Sequence, residues 1–240
     1  MYANRFSLGP VDLAFTDRYD GVSGAPFDSL NLALEGADDP DARAENLRIV
    51  LADFAPGAGL ADLHQVHGSE VVLADPAGAR PDCDAVVTDL ADLVLMVRAA
   101  DCVPVLLADP ATGVVGAAHA GRKGLASGVV PAAVARMREL GARDITGWIG
   151  PHVCGACYEV PEGMRTEVSA RVPEAAATSS WGTPSLDLGA GVQAQLTAAG
   201  VQVVDASRCT RESADLYSHR RDGARAGRQA GLVRIRSGVR

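Results

Sequence analysis

The sequence predicts an α+β or mixed α/β fold in one compact domain spanning residues 1–240, and three observations lead there. Short apolar runs suited to buried strands come in groups, and segments with helical spacing fall between the groups, which argues against a regular βαβ alternation. Gly and Pro are spread along the whole chain, favouring many short elements over a few long ones. Hydrophobic residues make up 48% of the 240 positions, enough for a sizeable core.

The elements follow in order. Residues 11–17 read as a first strand. Residues 39–54 read as a helix, because Asp39 can cap it, Pro40 suits its first turn and apolar residues recur at helical spacing. The runs 71–74, 85–88, 93–97, 103–108 and 114–118 are compact and apolar, as buried strands are. Residues 125–140 read as a helix that Pro131 must start or kink. Another strand is expected at 145–149, helices at 162–171 and 191–199, and closing strands at 201–204 and 232–235.

Composition excludes several classes. A formal net charge of −8 argues against broad binding to nucleic acid or an anionic membrane. Five cysteines, Cys83, Cys102, Cys154, Cys157 and Cys209, are too few for a disulfide scaffold, and their odd number points to reduced thiols. No apolar run reaches membrane-spanning length, and the segment from Met1 to Arg5 lacks the apolar stretch of a signal peptide. The expectation is a soluble cytoplasmic protein.

Three segments carry reactive side chains beside apolar sequence: His64-Gln65-Val66-His67-Gly68, Ala100-Asp101-Cys102-Val103-Pro104 and Ala117-Ala118-His119-Ala120-Gly121. On a strand, His64 and His67 would face opposite sides, so at most one enters a shared site. His67 is chosen, because Gly68 behind it marks the end of the element. Pro104 holds Val103 extended. Asp101 beside Cys102 is suited to orienting a ligand or handling a proton. The small neighbours of His119 clear room for a ligand beside its ring. Singly, each residue has a plainer reading, as a core or surface histidine or as a small buried cysteine. Together, His67, Cys102 and His119 form a shell for zinc with one open position, or a cysteine nucleophile activated by imidazole. Zinc there would pull the pKa of a bound water towards neutrality.

Two segments suit an anion. Ala120-Gly121-Arg122-Lys123-Gly124 precedes a predicted helix and combines cations with free amides, although it is no Walker loop. Residues 217–223, with Gly227 and Arg228, concentrate Arg220, Arg221 and Arg228, whose forks bind phosphate or carboxylate. The plain readings are a basic turn and a solvated charged loop. Cys154-Gly155-Ala156-Cys157 is a lone CxxC; a structural zinc site wants a second ligand pair, and none is spaced correctly, so the segment is read as structural.

These motifs resemble the YfiH-like family, also called the multicopper polyphenol oxidase (laccase) family and the purine nucleoside phosphorylase or peptidoglycan-editing family. The matching segments are Gly21-Val22-Ser23 with residues 27–32, Gln65-Val66-His67-Gly68, residues 100–104, His119-Ala120-Gly121, Ile149-Gly150-Pro151, Cys157-Tyr158-Glu159-Val160, and residues 218–223 with Gly227-Arg228. The resemblance implies an α/β sandwich with mixed sheets. It implies that His67, Cys102 and His119 are the metal-binding and catalytic set, with Asp101 beside them, and that the metal is zinc more often than copper. It implies small-molecule partners, a nucleoside and phosphate, contacted by Asn31, Arg48, Gln65, Arg122, Arg220, Arg221 and Arg228. The implied chemistry is phosphorolysis of adenosine, inosine, guanosine and methylthioadenosine, with deamination of adenosine. Two positions depart from the family: Arg122 stands where Trp is common, and Leu47 follows Asn46 where Arg is common, with Arg48 one step later. The alternatives are an amidohydrolase editing a UDP-linked peptidoglycan precursor and a copper-dependent phenol oxidase. The five histidines, His64, His67, His119, His152 and His219, are too few for the copper set of the latter.

Overall fold

The computed structural model describes residues 1–238. The chain opens with an antiparallel hairpin of β1 (Tyr2–Leu8) and β2 (Val11–Thr16). Helix α1 (Pro40–Phe54) starts where the Asp39 carboxylate accepts the Asp41 N–H, with Pro40 in the first turn. Six strands follow: β3 (Gly59–Ala61), β4 (Val71–Leu73), β5 (Ala85–Thr88), β6 (Leu93–Ala99), β7 (Val103–Asp109) and β8 (Val114–Ala120). Helices α2 (Arg122–Ser127) and α3 (Val129–Glu139) lead to β9 (Thr146–Ile149) and α4 (Glu162–Ser169). The short pair β10 (Ala176–Thr178) and β11 (Pro184–Leu186) precedes α5 (Leu188–Ala198), β12 (Gln202–Asp205), α6 (His219–Asp222) and β13 (Gln229–Ile235).

Two mixed sheets form the frame. One has five strands in the order β1-β2-β13-β6-β3, the other six in the order β12-β9-β7-β8-β5-β4. Strand alternation explains the layering. In β6, Leu93, Leu95 and Val97 face the core between the sheets, while Val94 and Met96 face the core beneath α1. In β7, Leu106 and Ala108 face the inter-sheet core, while Val103, Val105 and Leu107 face the core shared with α3 and α5. The order is therefore helix, sheet, sheet, helices. Central strands are covered on both faces, which is why they read as unbroken apolar runs. Among the described residues, no helix is long and apolar enough to cross a membrane.

The expected helix over 125–140 is in fact two helices. The break falls at Gly128, whose φ of +83° closes α2 in the left-handed region, and Pro131 sits harmlessly in the first turn of α3. Helix α2 begins earlier than expected, so Arg122 and Lys123 lie in its first turn, not in a loop before it.

The frame places one rim of the sandwich around a cavity. The turn 100–102 crosses from β6 in one sheet to β7 in the other. The end of β8, the loop after β3 and the segment entering α6 meet it there.

Candidate active site

Cys102 lies on the crossing turn, His119 at the end of β8, and His67 in the loop between β3 and β4. Their donor atoms all fall within 4.8 Å of one another. Cys102 Sγ is 3.8 Å from His67 Nε2. The two rings meet edge to face with centroids 4.8 Å apart. Tetrahedral zinc holds neighbouring N and S donors about 3.5 Å apart, so the spacing and chemistry of this set fit that ion. Gly121 completes the cradle: a β-carbon there would lie 2.7 Å from His67 Cδ2 and 3.1 Å from Cys102 Sγ.

The segment around His67 is not a strand, so the opposite-faces argument for choosing it does not apply. The backbone turns at His67 with φ of +61°. His64 points elsewhere, its Nδ1 2.7 Å from Asp82. The turn is held by a residue the sequence reading passed over. Asp84 is fully buried, and its carboxylate accepts the backbone N–H groups of Val66, His67 and Gly68 at 3.2, 2.9 and 2.6 Å. The same carboxylate takes His119 Nδ1 at 2.8 Å, which leaves His119 Nε2 facing the cavity. Burial works to raise the Asp84 pKa, but the His119 and backbone hydrogen bonds outweigh it and keep the group ionised.

Burial also works to raise the Cys102 pKa. The His119 charge and hydrogen bonds from both imidazoles prevail and bring it down to about 6. Burial works to lower His119, yet the Cys102 charge and Asp84 raise it to about 9. Without metal, the site at neutral pH is thus a thiolate beside an imidazolium. In chelator-treated protein, iodoacetamide labelling of Cys102 should reach half its maximal rate near pH 6, rising with pH as the thiolate forms and falling about tenfold per unit below. Cys83, which burial and Asp84 push up to about 11, serves as the unreactive control. Peptide mapping that shows Cys102 reacting only above pH 8 would contradict this electrostatic account.

Asp101 does not aim at the sulfur. Its backbone turns at φ of +91°, and its carboxylate accepts Thr210 Oγ1–H at 2.6 Å and the Arg220 N–H at 2.5 Å. It ties the segment before α6 to the crossing turn. Gln65 makes a similar tie, donating to Arg98 O and accepting the Arg98 N–H, both at 2.8 Å.

The cavity has a volume of about 650 Å³. Of the expected substrate contacts, Gln65, Arg122, Arg220 and Arg228 line it, together with Lys123 and Tyr158. Arg220 stacks over the Tyr158 ring at 5.0 Å. Three expected contacts do not line it. Asn31 is buried, donates to Asp38 and accepts the Arg228 N–H, so it supports Arg228 from behind. Arg48 is on the outer face of α1, paired with Glu45. Arg221 turns away to the carbonyls of Thr210, Ser213 and Leu216 and to Asp222. Among the described residues, Arg122, Lys123, Arg220 and Arg228 make no ion pair with a carboxylate. Arg98, by contrast, is locked to Asp62.

The chain matches the model of the multi-copper polyphenol oxidoreductase laccase family over residues 12–236. The chain belongs to that family. A relative from Streptomyces coelicolor, named a purine nucleoside phosphorylase, is 50% identical over 97% of this chain and 99% of its own length. The crystal structure of a Neisseria meningitidis protein superposes with a TM-score of 0.88 at 33% identity, covering 99% of both chains. That of a Bacillus licheniformis hypothetical protein YfiH gives 0.85 at 28% identity over 94% of this chain and 93% of that one. The resemblance to YfiH-like proteins and the mixed α/β sandwich with mixed sheets are thereby shown.

Proposed function

We propose that this family member is a zinc-dependent purine nucleoside phosphorylase that also deaminates adenosine. The observation that carries the reading is the pairing, in one cavity, of a soft metal-ligand triad with four cations that form no ion pair with a carboxylate among the described residues. A volume of about 650 Å³ lies in the range of small-molecule sites and accommodates a nucleoside beside phosphate. The name borne by the Streptomyces coelicolor relative supports the same reaction.

In phosphorolysis a phosphate oxygen bonds to C1′ of the ribose as the C1′–N9 bond breaks, and the base departs with that electron pair and takes up a proton. The products are ribose 1-phosphate and a free purine. Arg122, Lys123, Arg220 and Arg228 hold the phosphate and oppose its charge at close range. Tyr158 backs Arg220, and Asp101 fixes the backbone from which Arg220 projects. His67, Cys102 and His119 would hold the metal. Zinc bound by them would supply the Lewis acidity and water activation that deamination at C6 of adenine requires. Asp84 keeps His119 in the tautomer that offers Nε2.

Copper-dependent phenol oxidation finds too few histidines at the site: His219 lines the cavity but lies outside the His67–Cys102–His119 cluster. His64 is paired with Asp82, and His152 is buried with Nδ1 on Gly150 O, so neither joins His67 and His119. The decisive assay incubates zinc-loaded protein with inosine, with and without inorganic phosphate. Hypoxanthine and ribose 1-phosphate should appear only with phosphate, and adenosine should also yield inosine. Hypoxanthine release indifferent to phosphate would overturn the phosphorylase reading. Release of an amino acid from a UDP-linked muramyl peptide, with no action on nucleosides, would favour the amidohydrolase.

A further inference from the structure

The lone CxxC acquires partners that sequence spacing among cysteines does not reveal. Cys154 Sγ, Cys157 Sγ, Cys209 Sγ and a Glu212 carboxylate oxygen all lie within 4.8 Å of one another. The cysteines are free thiols. Two tight turns present them. The Cys157 N–H closes the first turn on Cys154 O at 2.9 Å, and the Ser213 N–H closes the second on Cys209 O at 3.0 Å. A backbone bridge between His152 and Cys209 holds the turns side by side, with the Thr210 N–H on His152 O at 2.9 Å and the His152 N–H on Arg208 O at 3.2 Å. Against the expectation that no second ligand pair is suitably spaced, Cys209 and Glu212 supply one at C-x-x-E spacing.

We infer that Cys154, Cys157, Cys209 and Glu212 form a second, structural zinc site, separate from the His67–Cys102–His119 centre. Three thiolates and one carboxylate are a complete tetrahedral set, with no position left for substrate, as structural zinc requires. Soft sulfur donors select zinc over magnesium or calcium. Four anionic ligands around a divalent ion leave a net charge of about −2. Arg211, which lies against Cys157 and stacks on Trp181 at 4.9 Å, offsets part of it. Cys157 is buried while Glu212 is exposed, so the ion has a path from solvent. The site's role follows from its neighbours. Tyr158 follows Cys157 and lines the cavity; Thr210 follows Cys209 and donates to Asp101. Zinc here would clamp together the two segments that carry the Tyr158–Arg220 wall.

The test uses the full chain carrying Cys102→Ala, so that the first centre no longer supplies a thiolate. Purified under reducing conditions and loaded with Co²⁺, this chain should show an intense near-ultraviolet thiolate-to-cobalt absorption, displaced by zinc. Adding Cys154→Ser or Cys209→Ser should abolish the band. In the otherwise unaltered chain, either serine substitution should lower zinc content, by elemental analysis, from two ions to one. Glu212→Gln, at an exposed position, should weaken zinc retention against a chelator at least tenfold with the fold intact. If the serine variants do not fold, the band in the Cys102→Ala chain and the Glu212→Gln competition decide the matter. Absence of that band, or zinc content unchanged when the cysteines are replaced, would overturn the proposal. So would a Cys154–Cys157 disulfide in protein purified with reductant.

Discussion

Replacing Asp84 with alanine should damage metal retention, turnover and stability together. Its carboxylate serves three backbone N–H groups and one imidazole from a fully buried position. Truncation leaves those donors without partners, and each buried orphan costs about 1–3 kcal/mol. A net loss of about 3 kcal/mol would lower the thermal midpoint by about 6–12 °C in a chain of this size. Releasing His119 from its partner should weaken metal binding about 10–100-fold. Asp84→Asn separates the two effects. It keeps an oxygen for the His67 turn but sets an amide N–H₂ against other donors, so stability should recover further than metal affinity. Metal per chain after dialysis against a graded chelator, measured well below the midpoint, is the readout. Equal metal affinity in the parent and Asp84→Ala would show that the buried carboxylate serves the fold alone.

Cys102→Ala should abolish turnover and leave the fold in place. The side chain projects from a turn into the cavity instead of filling the core, so its loss opens no buried void, and the thermal midpoint of metal-free protein should move little. Chemistry suffers far more, because the thiolate is the only anionic member of the triad. We expect a fall in kcat of about a hundredfold or more. The check is initial rates with inosine and phosphate at saturating zinc, beside the circular dichroism of the same sample. Activity within a few-fold of the parent would remove Cys102 from the proposed role.

The parts of the fold that the sequence disclosed are those whose strands are covered on both faces. The runs 103–108 in β7 and 114–118 in β8 carry no polar interruption, and their apolar character alone marks them. Strand β1, with Asn4, Arg5 and Ser7 in seven residues, carries no such signal. Strands β3, β10 and β11 are three residues long and owe their existence to pairing, not to pattern. At the site, His67, Cys102 and His119 were legible because reactive side chains interrupt apolar or small-residue sequence. Asp84 stood in similar company, between Cys83 and the run Ala85–Thr88. A carboxylate bordering a strand core is itself a sign of buried partners, and that signal was available. Arg48 and Arg221 show the reverse limit. A guanidinium suits phosphate wherever it stands, but only tertiary placement tells whether it faces a cavity, a neighbouring glutamate or a row of carbonyls. The Cys209–Glu212 pair was hidden for a related reason, since its link to Cys154 and Cys157 runs through a bridge between distant loops.

Strand β13 lies between β2 and β6, so the middle of the five-stranded sheet is supplied by residues 229–235. Val11 pairs with Ile235 across almost the whole chain. The triad's residues are all present by position 119, but the five-stranded sheet keeps an open slot until residues 229–235 are in place. Such long-range closure makes folding slow. It also means that Arg220 and Arg228, which precede β13 in the chain, join Arg122 and Lys123 around the cavity only as that slot is filled.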